Sequence, residues 1–186
     1  GRRNDISAAK LMKIVQDCQT DVHDFWSAYF YLHFYTVNTA KLSENVWKEA
    51  EKMLEQIQKY PQKEEYQKLV EADRINLYER EAEKGDDRKF LEETDRVFKE
   101  NLKGDPAWKL YERKLVYLES KQPDISREFE RFLKKYPKVM DAYVEYSIYL
   151  CRNNKMTQAQ RVYREGRKQT GMTSKRAEEL RRKLGL

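Results

Sequence analysis

Two stretches in the second half of this chain repeat one another with a step of about 35 residues. Such a period is typical of arrays built from pairs of α-helices. A single helix pair cannot bury its apolar face alone, so the repeat predicts pairs that stack on their neighbours. The aligned positions are Trp108 with Tyr143, Tyr111 with Tyr146, Leu115 with Leu150 and, one residue out of step, Phe129 with Tyr163.

Weaker copies of this pattern lie in the first half. MLEQIQKYP at 53–61 matches FERFLKKYP at 129–137, and Tyr66, Leu69 and Asp73 begin a further copy. We therefore predict an all-α protein, an α-α superhelix (solenoid) of about four antiparallel helix pairs in a single helical-repeat domain, 1–186. The predicted pairs occupy 21–61, 64–104, 105–137 and 139–171, with flanking helices at 5–18 and 174–184.

Apolar periodicity and helix-end signals place the individual helices. The predicted helices are 5–18, 21–38, 44–60, 64–84, 87–103, 106–120, 124–136, 139–153, 157–170 and 174–184. Gly85, Gly104 and Gly171 are predicted terminators, because glycine readily adopts the left-handed conformation that ends a helix. The predicted N-terminal caps are Ser43, Asp105 followed by Pro106, Thr157 paired with Gln160 in a capping box, and Thr173 or Ser174.

The composition excludes several classes of protein. The sequence has no run of about 18 apolar residues, so no membrane association is expected. Its two cysteines, Cys18 and Cys151, form no CxxC or Cys/His cluster. We therefore expect neither a disulfide framework nor a zinc site, and a reducing intracellular compartment. Because the chain lacks an initial Met and a signal-like stretch, we also expect it to be part of a longer protein.

No pattern in the sequence indicates catalysis. His23 and His33 are the only histidines and stand ten residues apart, which is not the i, i+4 spacing of a ligand pair on a helix. The GDD segment at 85–87 is explained by a helix terminator followed by the start of the next helix. We expect no enzyme activity, no catalytic residue, no metal site and no cofactor.

The first helices of the pairs begin with Trp26-x-x-Tyr29, Trp108-x-x-Tyr111 and Tyr143-x-x-Tyr146, and the second helices contain FERFLKKYP and RVYREGRK. This pattern resembles the HAT (half-a-TPR) repeats of RNA-processing scaffold proteins over about residues 21–171. The acidic residue expected seven positions after the leading aromatic is Asp73, and His33, Leu115 and Leu150 occupy the other copies.

The resemblance implies a TPR-like, non-catalytic protein–protein interaction scaffold in nuclear RNA processing: splicing, mRNA 3′-end formation or ribosomal RNA maturation. Its expected partners are other proteins of an RNA-processing complex. A cytoplasmic tetratricopeptide-like adaptor is an alternative. In that family the first helix carries a glycine where this chain has Glu112 and Ser147.

The residue types assign two roles to the aromatic side chains. Seven aromatics between residues 25 and 35 cannot all face one side of a helix, so some are expected to dock a partner helix or, in a homodimer, a second copy. The predicted protein-binding residues are Phe25, Trp26, Phe30, Tyr31 and Phe34. The predicted repeat-packing residues are Trp26, Tyr29, Trp108, Tyr111, Phe129, Tyr143, Tyr146 and Tyr163.

Positive charge is concentrated at the C-terminal end. From Cys151 onward the chain has eleven Lys and Arg residues and three Glu residues, a net charge of +8, whereas the whole chain carries +6. Direct RNA binding through this basic face is therefore an alternative function. The candidate RNA-binding residues are Arg161, Arg164, Arg167, Lys168, Arg181 and Arg182.

Overall fold

The computed structural model describes residues 22–38, 45–61 and 63–186, together with Lys13 and Asp17. Every regular element in these residues is helical, and none is a strand, which confirms the all-α prediction. The predicted helix 5–18 and the predicted cap Ser43 lie outside the described residues. No helix in the described part of the chain has both the length and the apolar composition needed to cross a membrane.

By its internal contacts the chain divides into two compact units, Gly1–Glu93 (unit 1) and Thr94–Leu186 (unit 2). The helices that begin in unit 1 are α1 (Phe25–Asn38), α2 (Asn45–Ile57), α3 (Glu64–Glu83) and α4 (Arg88–Thr94). Those of unit 2 are α5 (Arg96–Lys99), α6 (Gly104–Glu119), α7 (Ser126–Lys135), α8 (Met140–Arg152), α9 (Met156–Thr170) and α10 (Lys175–Lys183).

In unit 1 the helices α1, α2 and α3 all pack against one another. Helix α1 begins at Phe25 because the Asp24 carboxylate accepts a hydrogen bond from the Ser27 amide at 2.7 Å, which caps the first turn. The common core combines aromatic and aliphatic side chains. It contains Phe25, Ala28, Tyr31, Leu32 and Tyr35 of α1, Ala50, Met53, Leu54 and Ile57 of α2, and Val70 and Leu77 of α3.

In unit 2 the closest helix pair is α8 with α9, a hairpin joined by residues 153–155. The Lys155 amide donates to the Leu150 carbonyl at 2.9 Å, closing the turn. At the other end, a Cβ on Gly166 would lie 2.6 Å from the Tyr143 Cβ. The two helices are therefore antiparallel, and the absence of a side chain at Gly166 permits their close approach.

The predicted helix 87–103 is interrupted. Helix α4 ends at Thr94, the short α5 covers only Arg96–Lys99, and Asp95 separates them. Within unit 2, the Asp95 carboxylate meets Lys114 Nζ at 3.0 Å and an Arg131 guanidinium nitrogen at 3.1 Å. These tertiary ion pairs accompany a break that no local signal in the sequence indicates.

Two predicted caps are wrong. Helix α6 begins at Gly104, so Asp105 lies inside the first turn, and no side chain caps the helix. Helix α9 likewise begins without a side-chain cap, and Gln160 instead donates to the Leu184 carbonyl at 2.8 Å. Ser174 is confirmed as the cap of α10, since its hydroxyl accepts a hydrogen bond from the Ala177 amide.

Candidate interaction surfaces

An apolar stripe lies open on helix α1. The exposed fractions of Trp26, Phe30 and Val37 are 51%, 60% and 65%. Their spacing of four and seven residues places all three on one face of the helix. We call these three residues the α1 stripe. Its first two members are among the predicted protein-binding residues, while Val37 was missed although its spacing from Phe30 indicates the same face.

The other predicted protein-binding residues lie elsewhere. Phe25 and Tyr31 are buried in the core of unit 1, and Phe34 is partly buried against it. Phe25 stacks on Tyr66 of α3 with ring centroids 4.9 Å apart, so its role is packing. The sequence could not separate these rings from the α1 stripe, because α1 is apolar on nearly all sides.

Trp26 is held in place although half of it is exposed. Its ring meets Tyr66 edge-on at 4.9 Å and Phe25 at 5.2 Å. A large aromatic side chain fixed by its neighbours loses little conformational freedom when a partner covers it. Trp26 therefore has the properties of a pre-positioned binding anchor.

A polar cluster lies beside the α1 stripe. His33 Nδ1 is 3.0 and 3.1 Å from the two carboxylate oxygens of buried Asp73, and the Thr36 hydroxyl donates to the same carboxylate at 2.9 Å. Tyr29 stacks on the His33 ring. Burial, followed by the Asp73 charge, raises the pKa of Tyr29 above its usual value. His33 follows Trp26 by seven residues and so shares the face of the stripe.

Most of the aromatic residues predicted to pack the repeats are buried. Both Trp108 and Tyr111 contact Phe132 of the following helix, with ring centroids 5.2 and 5.1 Å apart. Phe129 stacks on Tyr146 at 4.8 Å. Tyr29 is half-buried, and Trp26 is the exception because it is mainly exposed. The buried members are Trp108, Tyr111, Phe129, Tyr143, Tyr146 and Tyr163.

The predicted basic face is formed mainly by helix α9. Arg161, Arg164 and Lys168 are exposed and share one side of the helix by their spacing of three and four, and Arg167 lies beside them. Arg182 is exposed on α10. Arg181 differs, since it is half-buried and donates to Glu178 and to the Leu186 carbonyl.

The two units differ in the sign of their net charge. Unit 2 contains 23 Lys and Arg residues and 13 Asp and Glu residues, a net charge of +10. Unit 1 contains 15 basic and 19 acidic residues, a net charge of −4. Residues 151–186 supply +8 of the +10, so the positive charge of unit 2 is concentrated in its last helices.

A groove of about 660 Å³ lies between α7, α8 and α9. Tyr143, Tyr146 and Val162 are among its apolar lining residues. Both signs of charge are present: the Lys155 ammonium meets the Asp124 carboxylate at 2.7 Å, and this contact and Ser126 hold the pKa of Asp124 well below its usual value. Arg161 of the basic face also lines this groove.

A second cleft, of about 530 Å³, lies between α8 and α10. We call it the α8–α10 cleft. Neither groove is predictable from the sequence, because each is formed by side chains from helices that are not adjacent along the chain or that meet at a turn. The residues that line the α8–α10 cleft are Ile148, Cys151, Arg152, Met156, Arg176, Glu179, Leu180 and Lys183.

No group of three or more His, Cys, Asp or Glu side chains in the described ranges could hold a metal ion. The GDD segment follows α3, and its first residue, Gly85, has a φ of +115°. Gly85 is therefore the helix terminator that the sequence predicts. No protein-family model matches the sequence, and no curated protein or solved structure is significantly similar to it.

Proposed function

We propose that this chain is a non-catalytic scaffold that binds other proteins of a nuclear RNA-processing complex through the α1 stripe. The observation that carries the proposal is the exposure of Trp26, Phe30 and Val37 on one helix face. Large exposed apolar groups that lie together mark interaction sites more often than isolated ones do.

The size of the stripe suits a binding hot spot. An aromatic side chain buries roughly 150–250 Å² when fully covered, so covering the exposed half of each ring removes on the order of 100 Å² from water. At about 25 cal/mol per Å² this amounts to roughly 2–3 kcal/mol per ring. Contributions of this size are typical of the few residues that dominate a protein interface.

The process and the compartment rest on the resemblance to HAT repeats. The buried ring contacts of Trp108, Tyr111 and Phe129 agree with that resemblance, because they place the repeated aromatics between successive helices. Stacked helix pairs present extended surfaces for partner proteins. A scaffold role in RNA processing combines these two features without requiring a catalytic group.

The test is affinity purification of the tagged chain from nuclear extract, with and without nuclease, followed by mass spectrometry. We expect RNA-processing proteins to be recovered after nuclease treatment and to be lost with the double variant Trp26→Ala, Phe30→Ala. Val116→Ser is the matched control, because Val116 is an exposed apolar residue of unit 2. Recovery of the same proteins with the double variant would contradict the proposal.

Direct RNA binding is a second candidate, favoured by the exposed cations of α9. No carboxylate among the described residues forms an ion pair with Arg161, Arg164 or Lys168, so these groups remain available to phosphates. The triple variant Arg164→Glu, Arg167→Glu, Arg182→Glu should abolish binding to single-stranded RNA. Lys103→Glu, Lys109→Glu, Lys121→Glu is the charge-matched control.

Fluorescence anisotropy at 50 and 200 mM salt measures this binding. Affinity that falls steeply with salt, and only in chains that retain the α9 cations, supports phosphate contacts. Equal affinity at both salt concentrations, or equal losses in the two triple variants, would reject this candidate.

A further inference from the structure

The α8–α10 cleft differs from the rest of the basic surface because its floor is apolar. Ile148 and Cys151 of α8 and Leu180 of α10 line it, and Met156 stands with 46% of its surface exposed at the start of α9. Methionine side chains adapt to differently shaped partners, which is why they are common where a groove receives a helix. The floor therefore accepts apolar side chains.

The rim of the cleft is basic. Arg152, Arg176 and Lys183 surround the floor, and Glu179 is the one carboxylate among the lining residues. Helix α10 as a whole has five basic residues and two acidic ones. A ligand that enters the cleft thus meets cations around an apolar centre.

Two rim cations are paired with carboxylates of other helices, the exposed Glu119 and the partly buried Glu145. An Arg152 guanidinium nitrogen lies 3.1 Å from Glu119 of α6, and Arg176 contacts Glu145 of α8. The side chains of Arg152 and Arg176 remain 59% and 58% exposed. An exposed ion pair contributes little net stability, so a carboxylate from a ligand can replace Glu119 at small cost. At Arg176 a ligand carboxylate joins Glu145 without replacing it. Each guanidinium also has five N–H donors, more than one carboxylate uses.

The cleft matches a helix in length. Along α10, the lining residues run from Arg176 to Lys183, which corresponds to about two helical turns, or roughly 10 Å. An amphipathic helix of similar length presents apolar side chains at i, i+3, i+4 and i+7 to such a groove and flanking side chains to its rim.

From these features we propose that the α8–α10 cleft binds an acidic amphipathic helix of a partner protein. Apolar residues of that helix enter between Ile148 and Leu180, and its Asp and Glu side chains meet Arg152, Arg176 and Lys183. RNA fits this cleft less well, because its lining contains no aromatic ring on which a base stacks. The inference builds on the proposed scaffold role but uses a different surface from the α1 stripe.

Cys151 provides a reporter within the cleft. The sequence has two cysteines, so the variant Cys18→Ser leaves Cys151 as the single thiol. Burial raises the pKa of this thiol, and nearby Lys183 lowers it less strongly, so alkylation is followed at about pH 8.5, where more thiolate is present. A ligand seated on the floor should shield this sulfur from a maleimide.

The experiment uses the full chain with a synthetic 15-residue helix of Leu and Glu in an amphipathic pattern. We expect micromolar binding by anisotropy and at least tenfold slower alkylation of Cys151 at saturation. The same peptide with Lys in place of every Glu, and a single-stranded RNA oligonucleotide, should give neither effect. Shielding by the Lys peptide or by RNA would overturn the assignment to an acidic helix.

Charge reversal locates the binding. Arg152→Glu and Lys183→Glu, made singly because each is exposed, should each weaken binding of the acidic peptide at least fivefold. Lys134→Glu, in the groove between α7, α8 and α9, should leave the affinity within twofold. Equal losses in all three variants would show attraction to the net charge of unit 2, and no loss in any would exclude the cleft; both outcomes overturn the proposal. Neither of these outcomes bears on the α1 stripe experiment, so the cleft proposal and the scaffold proposal can be rejected independently of one another.

Discussion

Units 1 and 2 place opposite chemistry at the same repeat position. Seven residues after the leading aromatic, unit 1 has His33 and Asp73, whose side chains lie within hydrogen-bonding distance. Unit 2 has Leu115 and Leu150 there, and both are buried. The repeated aromatics therefore specify where helices contact one another. The residue seven positions after the leading aromatic decides whether that contact is polar or apolar.

Unit 2 also contains a buried charge, but it lies one residue away from this position. Lys114 is buried and contacts Asp95 at 3.0 Å and Glu128 at 2.8 Å, and the Tyr111 hydroxyl donates to the same Glu128. Each of the buried polar groups in the two networks thus meets at least one partner. Buried polar groups are tolerated in both units because their hydrogen-bonding capacity is used.

The largest effect is expected when unit 2 receives, at this repeat position, the carboxylate found in unit 1. Leu150→Asp should lower the free energy of unfolding by about 4 kcal/mol or more at pH 7, because the new carboxylate has no hydrogen-bond donors like those around Asp73. Urea unfolding measures the loss, and hydrogen exchange locates it in α8. Leu150→Asn is the control for shape and polarity. Equal costs for Asp and Asn at pH 7 would show that charge is not the cause.

A second variant concerns the helix hairpin of unit 2. Gly166→Ala would place its Cβ 2.6 Å from the Tyr143 Cβ and 2.2 Å from the Met172 Cε. Overpacking of this kind costs about 1–3 kcal/mol, of which the better helix propensity of Ala offsets up to about 1 kcal/mol. A lowered melting temperature by calorimetry is expected. Glu165→Ala, at the exposed neighbouring position, should leave it nearly unchanged, and a stabilised Gly166→Ala variant would refute the close approach.

The third variant weakens the polar pair of unit 1. Asp73→Asn keeps the shape but removes the charge that His33 and Thr36 contact, so we expect a loss of about 1.5 kcal/mol. Glu65→Gln on the exposed side of the same helix is the control and should change stability by less than about 0.5 kcal/mol. Faster hydrogen exchange in α1 and α3 alone would confirm the location. An effect no larger than that of the control would mean that the pair is not stabilising.

The smallest expected effects are stability changes of opposite sign at two half-buried glutamates, Glu128 and Glu81. Hydrogen bonds from Lys114 and Tyr111 outweigh the effect of burial and lower the pKa of Glu128 below 4.5. Burial, aided by Asp86, raises the pKa of Glu81 in unit 1 above 4.5. Glu128 therefore stabilises the fold above pH 4.5 and loses this contribution as the pH falls through its lowered pKa. Ionised Glu81 opposes folding at neutral pH, and this penalty disappears as the pH falls through its raised pKa.

Glu128→Gln should consequently destabilise the protein at pH 7, and Glu81→Gln should stabilise it, each by a few tenths to about 1 kcal/mol because solvent screens both sites. Denaturant unfolding at pH 7 and pH 3 measures both effects. The two differences should shrink in acid. Changes of the same sign at pH 7 would contradict the assigned environments.

Much of the local structure follows from the sequence. Helices α8 and α10 were predicted within one residue at each end, and Gly171, with a φ of +81°, ends α9 as predicted. These features are local: apolar residues recur with the helical period, and glycine alone adopts the left-handed conformation without steric cost. The burial of Trp108 and Tyr143 was likewise predictable from their equivalent positions in the repeat.

The tertiary structure decided the features that depend on distant partners. The break at Asp95 coincides with ion pairs to Lys114 and Arg131, and the exposure of Trp26 compared with the burial of Phe25 depends on where α3 packs. The α8–α10 cleft exists only when two helices meet. By itself, therefore, the sequence determined most of the helical elements, because these depend on near neighbours, and the burial of Trp108 and Tyr143, because the repeat marks their positions. Which side chains remain exposed to a partner was decided by packing, because exposure depends on what the rest of the chain covers.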